Sequence, residues 1–171
     1  MPVAITAYEV APEADERFLA AWRPAAPGVV LYRALRADVD FRFVAVGGDR
    51  PPAEFRAHAG MYDVVRADGT PDVAGGVVLV NPFEVPEGDD ERFLAGWERA
   101  REALTLQRGY LGRRLHRSAG PADFRNVEIA RWSSPLMFAR AMAEPGFQEA
   151  ARALPFASHP ALYLEATPDP A

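Results

Sequence analysis

The chain has 171 residues, 49% of them apolar, and a net charge of −5 at pH 7, which suits one compact unit or two small ones sharing a core and, with no basic cluster, argues against nucleic acid as a partner. It has no cysteine, and all 19 basic residues are arginine, so disulfides, thiolate metal sites, cysteine nucleophiles and lysine Schiff bases are excluded. Neither a leader-like start nor a run of ~18 uninterrupted apolar residues is seen, so a soluble, cytoplasmic protein with no membrane partner is expected.

In chain order, the first part reads β-α-β-β-β, with Glu16 to Trp22 (ERFLAAW) as its helix. A Gly- and Pro-marked linker then spans 69–76. Val77 to Val85 is a β-rich run, and Asp89 or Asp90 is placed to cap a helix reaching about Gln107. Phe93, Trp97, Ala100 and Leu104 fall on one face of that helix, and Gly109 is expected to stop it. Tyr110 to Arg117 and Phe124 to Trp132 are strand candidates joined by a turn at Ser118 to Asp123. Ser134 followed by Pro135 starts a helix, which breaks at Pro145-Gly146 and resumes through Phe147 to Leu154. A last strand lies around Ala161 to Ala166.

Two of these stretches nearly coincide. Glu16 to Trp22 recurs as Glu91 to Trp97 (ERFLAGW), Phe41-Arg42 as Phe124-Arg125, and the Phe55, His58, Tyr62 frame as Phe156, His159, Tyr163. The offset grows from 75 to 83 to 101 residues, so the first repeat lacks two blocks, the second of which is a whole helix. Two repeats of this length suggest a fused dimer rather than a solenoid. The predicted fold is therefore α+β: two ferredoxin-like repeats fused in one chain as a pseudo-dimer, the first lacking its second helix. The predicted division is 1–68 for a truncated, degenerate repeat, 69–76 for the linker and 77–168 for a complete repeat with the active pocket.

The second repeat, with VVLVNPFEVPEGDDERFLAGW, GYLGRRLHR, DFRNVEIARWSS and LPFASHPALYLEA, resembles the antibiotic biosynthesis monooxygenase family of the dimeric α+β barrel superfamily. The resemblance implies a pocket between each sheet and its helices, and a barrel made by two joined sheets. It also implies that Asn81 corresponds to a first-strand site residue of cofactor-free members. In the family a later strand commonly reads Asn, three residues, Trp; here Trp132 is kept, but Glu128 stands where the Asn is expected and Asn126 lies six residues before the Trp.

Asn81 and Asn126, the chain's two asparagines, both sit in predicted strands, where Asn is disfavoured. Strand alternation puts Asn81 with Leu79 and Phe83, and Asn126 with Glu128, Ala130 and Trp132. Asn81, Glu128 and Trp132 are the candidate catalytic residues. Glu128 in a dry pocket would be a base, and otherwise a solvated residue or the partner of Arg125 or Arg131. Asn126, His116, Phe83, Tyr110 and Phe138 are candidate substrate contacts. His116 faces pocket or solvent, whereas His159, with its repeat partner His58, reads as structural. No histidine has metal-ligand spacing, and there is no G-x-G-x-x-G, phosphate loop or G-x-S-x-G elbow, so neither a cofactor nor a metal is expected.

The expected function is cofactor-independent monooxygenation of an aromatic, polyketide-like phenol or anthrone, with the small aromatic substrate and dioxygen as partners. Alternatives are a polyketide cyclase using the same pocket for enolisation, and a non-catalytic partner in a biosynthetic complex. A monomeric pseudo-dimer is expected, or a homodimer if the shortened repeat leaves sheet surface for a second chain. The arginine-only basic complement, with abundant Ala, Gly and Pro, points to a GC-rich bacterial genome.

Overall fold

The computed structural model describes residues 1–166; the predicted end of the second repeat at 168 lies outside the described residues. The first repeat comprises β1 (Val3–Glu9), a single 3-10 turn, α1 (Asp15–Ala21), the two-residue β2 (Arg23–Pro24), β3 (Val30–Ala34), β4 (Phe43–Val46), the two-residue β5 (Asp49–Arg50) and β6 (Arg56–Gly69). The second comprises β7 (Val77–Glu84), α2 (Asp90–Thr105), β8 (Tyr110–Ser118), β9 (Asn126–Trp132), α3 (Pro135–Ala143), α4 (Pro145–Arg152), the short β10 (Ala157–Ser158) and β11 (Ala161–Glu165).

Eight of the strands run in the order β7-β11-β3-β4-β1-β6-β8-β9, and β9 pairs again with β7, closing a barrel in which every ladder is antiparallel. Closure leaves no free edge among these eight strands. Each repeat contributes four adjacent strands, and the seams are β6–β8 and β11–β3. The chain is thus a fused pseudo-dimeric α+β barrel.

The two halves repeat each other at the level of single contacts. Tyr62 donates its hydroxyl to the Phe124 carbonyl at 3.0 Å, and Tyr163 donates to the Phe41 carbonyl at 2.7 Å. His58 lies 2.8 Å from Glu9 in its own repeat and 2.6 Å from Asp123 in the other; His159 lies 3.0 Å from Glu84 and 2.7 Å from Asp40. The histidines therefore tie the repeats together. Arg42 with Asp15 and Arg125 with Asp90 form a further matched pair of ion pairs.

The barrel lumen holds one apolar cluster, including Ile5, Val44, Val78, Val80, Val127 and Tyr163. Outside it, α1 covers a second cluster around Phe18 and Phe43, and α2 to α4 cover two more. Burial of Phe93, Trp97, Ala100 and Leu104 follows the predicted face of α2. Gly96 on that face lets α4 approach closely, since a Cβ there would sit 2.8 Å from the Ala153 carbonyl oxygen.

Helix ends bring two corrections. Asp89 occupies the N-cap position of α2, but its side chain makes no capping bond. The helix ends at Thr105 with Leu106 as C-cap, and Gly109, at φ +83°, belongs to the following turn instead of stopping the helix. Ser134 does cap α3, accepting from the Met137 amide at 3.2 Å, with Pro135 in the first turn. α3 and α4 are separate because Pro145 holds Glu144 extended, at φ −72° and ψ 129°.

Candidate functional site

Between the second repeat's sheet and α2 to α4 lies a cavity of about 400 Å³. β7 supplies Leu79, Asn81 and Phe83, β8 supplies Arg113, and β9 supplies Glu128, Ala130 and Trp132. The walls opposite are apolar: Ala100 and Leu104 of α2, Phe138 and Met142 of α3, and Phe147, Ala150 and Ala151 of α4. Such a space suits a flat, largely apolar ligand held by a few polar groups. Asn81 and Glu128 are direct cross-strand partners, so the two stand side by side on the sheet.

Glu128 is 8% exposed. Its partner is Arg113, whose Nη1 is 3.5 Å from Glu128 Oε1. The expected alternatives are otherwise engaged: Arg125 pairs with Asp90, and Arg131 donates to the Pro71 and Gly75 carbonyls. Burial pushes the Glu128 carboxyl above the usual range, and the Arg113 charge and hydrogen bonding offset only part of that rise. Asn81 Oδ1 and Trp132 Nε1 are buried without a hydrogen-bond partner among the described residues. Unsatisfied polar atoms cost stability unless a ligand completes them.

Phe83 and Phe138 also line the cavity. Three other candidate contacts stand elsewhere. Asn126 shares the strand face of Glu128 but is fully buried beyond the cavity lining, with neither side-chain amide atom partnered. His116 faces neither this cavity nor solvent; it is buried toward the barrel interior, 3.2 Å from the Val127 carbonyl, beside a separate small cavity that Tyr32 and Arg131 also line. Burial depresses its pKa, while that hydrogen bond acts in the opposite direction. Tyr110 donates its hydroxyl to Asp68. Burial first and that bond second raise its pKa, so the phenol stays protonated.

Two residues escaped the sequence reading. Arg113 is 1% exposed; its Nε donates to Asp68 at 3.1 Å and its Nη2 to the Trp97 carbonyl at 3.0 Å, and its guanidinium lies 3.5 Å from the Trp97 ring centroid. Alternation along β8, which groups Arg113 with Leu111 and Leu115 opposite Arg114 and His116, was a signal for it. Asp68 comes from the first repeat, and no local pattern marks it. Among the described residues no group of three or more His, Asp or Glu side chains is arranged to hold a metal ion, and no helix is long and apolar enough to cross a membrane.

The family model for antibiotic biosynthesis monooxygenase matches residues 76–153, which lie almost wholly in the second repeat. The cofactor-independent oxygenase SnoaB from Streptomyces nogalater is 31% identical, with all of its chain and 57% of this one aligned, at a TM-score of 0.50. This chain belongs to the antibiotic biosynthesis monooxygenase family. Over the whole length the likeness is one of fold. An anthrone oxidase-like protein aligns over 97% of this chain and 91% of its own at 12% identity and a TM-score of 0.68. An uncharacterised ferredoxin-fold protein from Listeria monocytogenes aligns over 98% and 96% at 14% identity and a TM-score of 0.57. No curated protein matches. Four residues before Trp132, where the resemblance leads one to expect an asparagine, this chain has Glu128, a buried carboxylate paired with the buried Arg113.

Proposed function

We propose that the protein is a cofactor-independent oxygenase acting on a small aromatic phenol or anthrone bound in the second repeat's cavity. The observation that carries this reading is the cavity itself. Its walls are apolar, and its polar face combines an elevated, buried carboxyl, Glu128, with the unpartnered Asn81 Oδ1 and Trp132 Nε1. An elevated carboxyl is a better match to a weakly acidic phenolic or doubly activated C–H proton than an ordinary one.

In this reading Glu128 removes the substrate proton and leaves an electron-rich carbanion or enolate. The substrate passes one electron to dioxygen, and the radical pair combines into a peroxide. Protonation and loss of water then turn an anthrone CH2 into C=O, with one oxygen atom kept and the other leaving in water. Trp132 Nε1 donates toward the developing oxygen charge, and Asn81 orients the substrate through an acceptor that only a donor group satisfies. The same enolisation without oxygen would be the cyclase reaction.

Oxygen uptake by the purified protein with a panel of anthrones and naphthacenones, read beside product mass, tests the proposal. The expected result is one oxygen molecule consumed per turnover and a product that has gained one oxygen and lost two hydrogens. Loss of water alone with no oxygen consumed would move the assignment to a cyclase, and saturable binding without turnover to a non-catalytic partner.

A further inference from the structure

A residue of the first repeat stands behind the second repeat's cavity, holding Arg113, which lines it. Asp68 lies near the end of β6, across the seam from β8, and its register partner is Arg113. The register shifts between Val64 and Arg66, so that Val64 pairs with His116 on the lumen side whereas Arg66 pairs with Leu115 and Asp68 with Arg113 on the helix side. A bulge of this kind re-aims every later side chain on its strand. Without the extra residue, Asp68 would face the lumen.

The re-aimed carboxylate is 8% exposed and receives two donors, the Tyr110 hydroxyl and Arg113 Nε. With Nε on Asp68 and Nη2 on the Trp97 carbonyl, the guanidinium plane is fixed, and Trp97 covers one face. Only Nη1 remains. It points toward Glu128 at 3.5 Å, too far for a good hydrogen bond, and Arg113 and Glu128 both line the cavity. A substrate oxygen on the cavity side of this pair can meet both at hydrogen-bond distance, the one as proton acceptor and the other as cationic donor.

We propose that Arg113 Nη1 and Glu128 together receive an acidic hydroxyl or enolisable carbonyl of the substrate, and that Asp68 of the first repeat is the positioning residue that holds Arg113 in place. This rests on the reading of the cavity as a site of substrate deprotonation. The proton, taken from the hydroxyl or from the carbon beside the carbonyl, goes to the Glu128 carboxylate; the electron pair stays on oxygen in the phenolate or shifts to it from the broken C–H bond in the enolate, and that oxyanion accepts from Arg113 Nη1. The titratable and charged groups around Glu128 are Arg113 and Tyr110 of β8 and Asp68 of β6; β7 presents the neutral Asn81, α2 the indole of Trp97 behind Ala100 and Leu104, and α3 and α4 apolar side chains. The ligand class is therefore a phenol, naphthol or 1,3-dicarbonyl rather than an unfunctionalised aromatic.

The test compares wild type, Asp68→Asn and Arg113→Lys by two readouts: the pH profile of oxygen uptake with 1,8-dihydroxyanthrone, and the absorbance titration of bound 1,8-dihydroxyanthraquinone, whose phenol changes colour on ionisation. Asp68→Asn keeps the shape of the side chain but leaves Glu128 as the sole carboxylate facing Arg113. The acid limb of kcat should move down by about one pH unit, and the bound dye should ionise at lower pH than in wild type. Arg113→Lys keeps a cation opposite Asp68 but lacks the planar fork that spans Asp68, the Trp97 carbonyl and Glu128. It should lower kcat roughly 10- to 100-fold with little change in KM, and return the dye's ionisation toward its value in free solution. A shifted dye titration without any oxygen uptake would support the Asp68–Arg113 assignment while removing the oxygenase reading. A folded Asp68→Asn whose acid limb and dye titration both match wild type would overturn the assignment, as would an Arg113→Lys protein with wild-type dye ionisation if Asp68→Asn does not fold.

Discussion

The two repeats share strands, seams and clamps, and differ in what fills the space beneath their helices. In the first, Asp49 accepts from Thr6 Oγ1 at 3.0 Å, from Trp22 Nε1 at 2.6 Å and from the Tyr8 hydroxyl, while Phe18 stacks on Phe43 with ring centroids 4.3 Å apart. Every polar group in this cluster has a partner. By ladder register Thr6 stands for Asn81, Ala45 for Glu128 and Phe43 for Asn126. In the second repeat the matching polar groups are present but largely unanswered: Asn81 Oδ1, Trp97 Nε1 and Trp132 Nε1 have no partner among the described residues. One repeat has settled its polar groups for stability, and the other keeps them available at a cost.

Making the second repeat more like the first is the severest way to probe this contrast. Glu128→Ala installs the first repeat's residue and should reduce kcat by roughly 10²- to 10⁴-fold, the usual scale for a general base. Glu128→Gln should fall nearly as far while keeping the volume. Wild-type activity should itself decline at a higher pH than an ordinary carboxylate would impose, because the base form of an elevated carboxyl is lost as pH falls through its raised pKa. Steady-state oxygen uptake over pH 4 to 9 measures both, and an unchanged rate in Glu128→Gln would remove the base from the mechanism.

The converse change strikes the first repeat. Asp49→Ala strands the Thr6, Tyr8 and Trp22 donors together and should cost roughly 2–4 kcal/mol of stability, since each buried orphan carries its own desolvation penalty. Denaturant unfolding reads the loss. The rate per folded molecule should not move, because no atom of this network lines the second repeat's cavity. A large fall in kcat with unaltered stability would mean that the first repeat's helix-side cluster is not the spent counterpart described above.

Asn81→Leu separates the two kinds of cost within the site. It removes a buried acceptor that nothing satisfies and substitutes a side chain of similar size, so the melting temperature should stay level or rise by a few degrees. Turnover should drop about tenfold if the amide orients substrate. A destabilised protein of normal activity would instead make Asn81 a structural amide.

The contrast between repeats also marks what the sequence discloses. The duplicated ERFLAAW and ERFLAGW segments and the growing offset led to the fused pseudo-dimer and the missing helix, because helix faces and strand alternation are local patterns, while the closed barrel came with the family resemblance. Alternation grouped Asn81 with Leu79 and Phe83 on β7, and Glu128 with Trp132 on β9, while the family resemblance singled out Asn81 and Trp132. Arg113 was half visible through alternation along β8. Asp68 was hidden, since its direction depends on a bulge at Val65 and its partner on a seam between strands 42 residues or more apart. The placement of His116 in the barrel interior was equally beyond a local reading, because choosing between two faces of a strand needs to know which one the helices cover.

The smallest effect expected lies in the clamps, where the repeats remain equivalent. Burial alone would lower the pKa of His159, but its hydrogen bonds to the Asp40 and Glu84 carboxylates and their charges outweigh it and raise the net value. A histidine whose folded pKa lies above its unfolded one stabilises fully below the ordinary value of about 6.5, and that contribution disappears as pH rises through the folded value. His159→Gln should therefore melt below wild type at pH 5.5, with the gap closing as pH rises past the ordinary histidine value. The imidazole is 23% exposed, so solvent and salt screen the ion pairs and the shift in melting temperature should be modest. Because the two carboxylates belong to different repeats, a gap that stayed constant with pH would mean that the clamp acts through packing against Phe41 and Phe124, and not through charge carried across the seam.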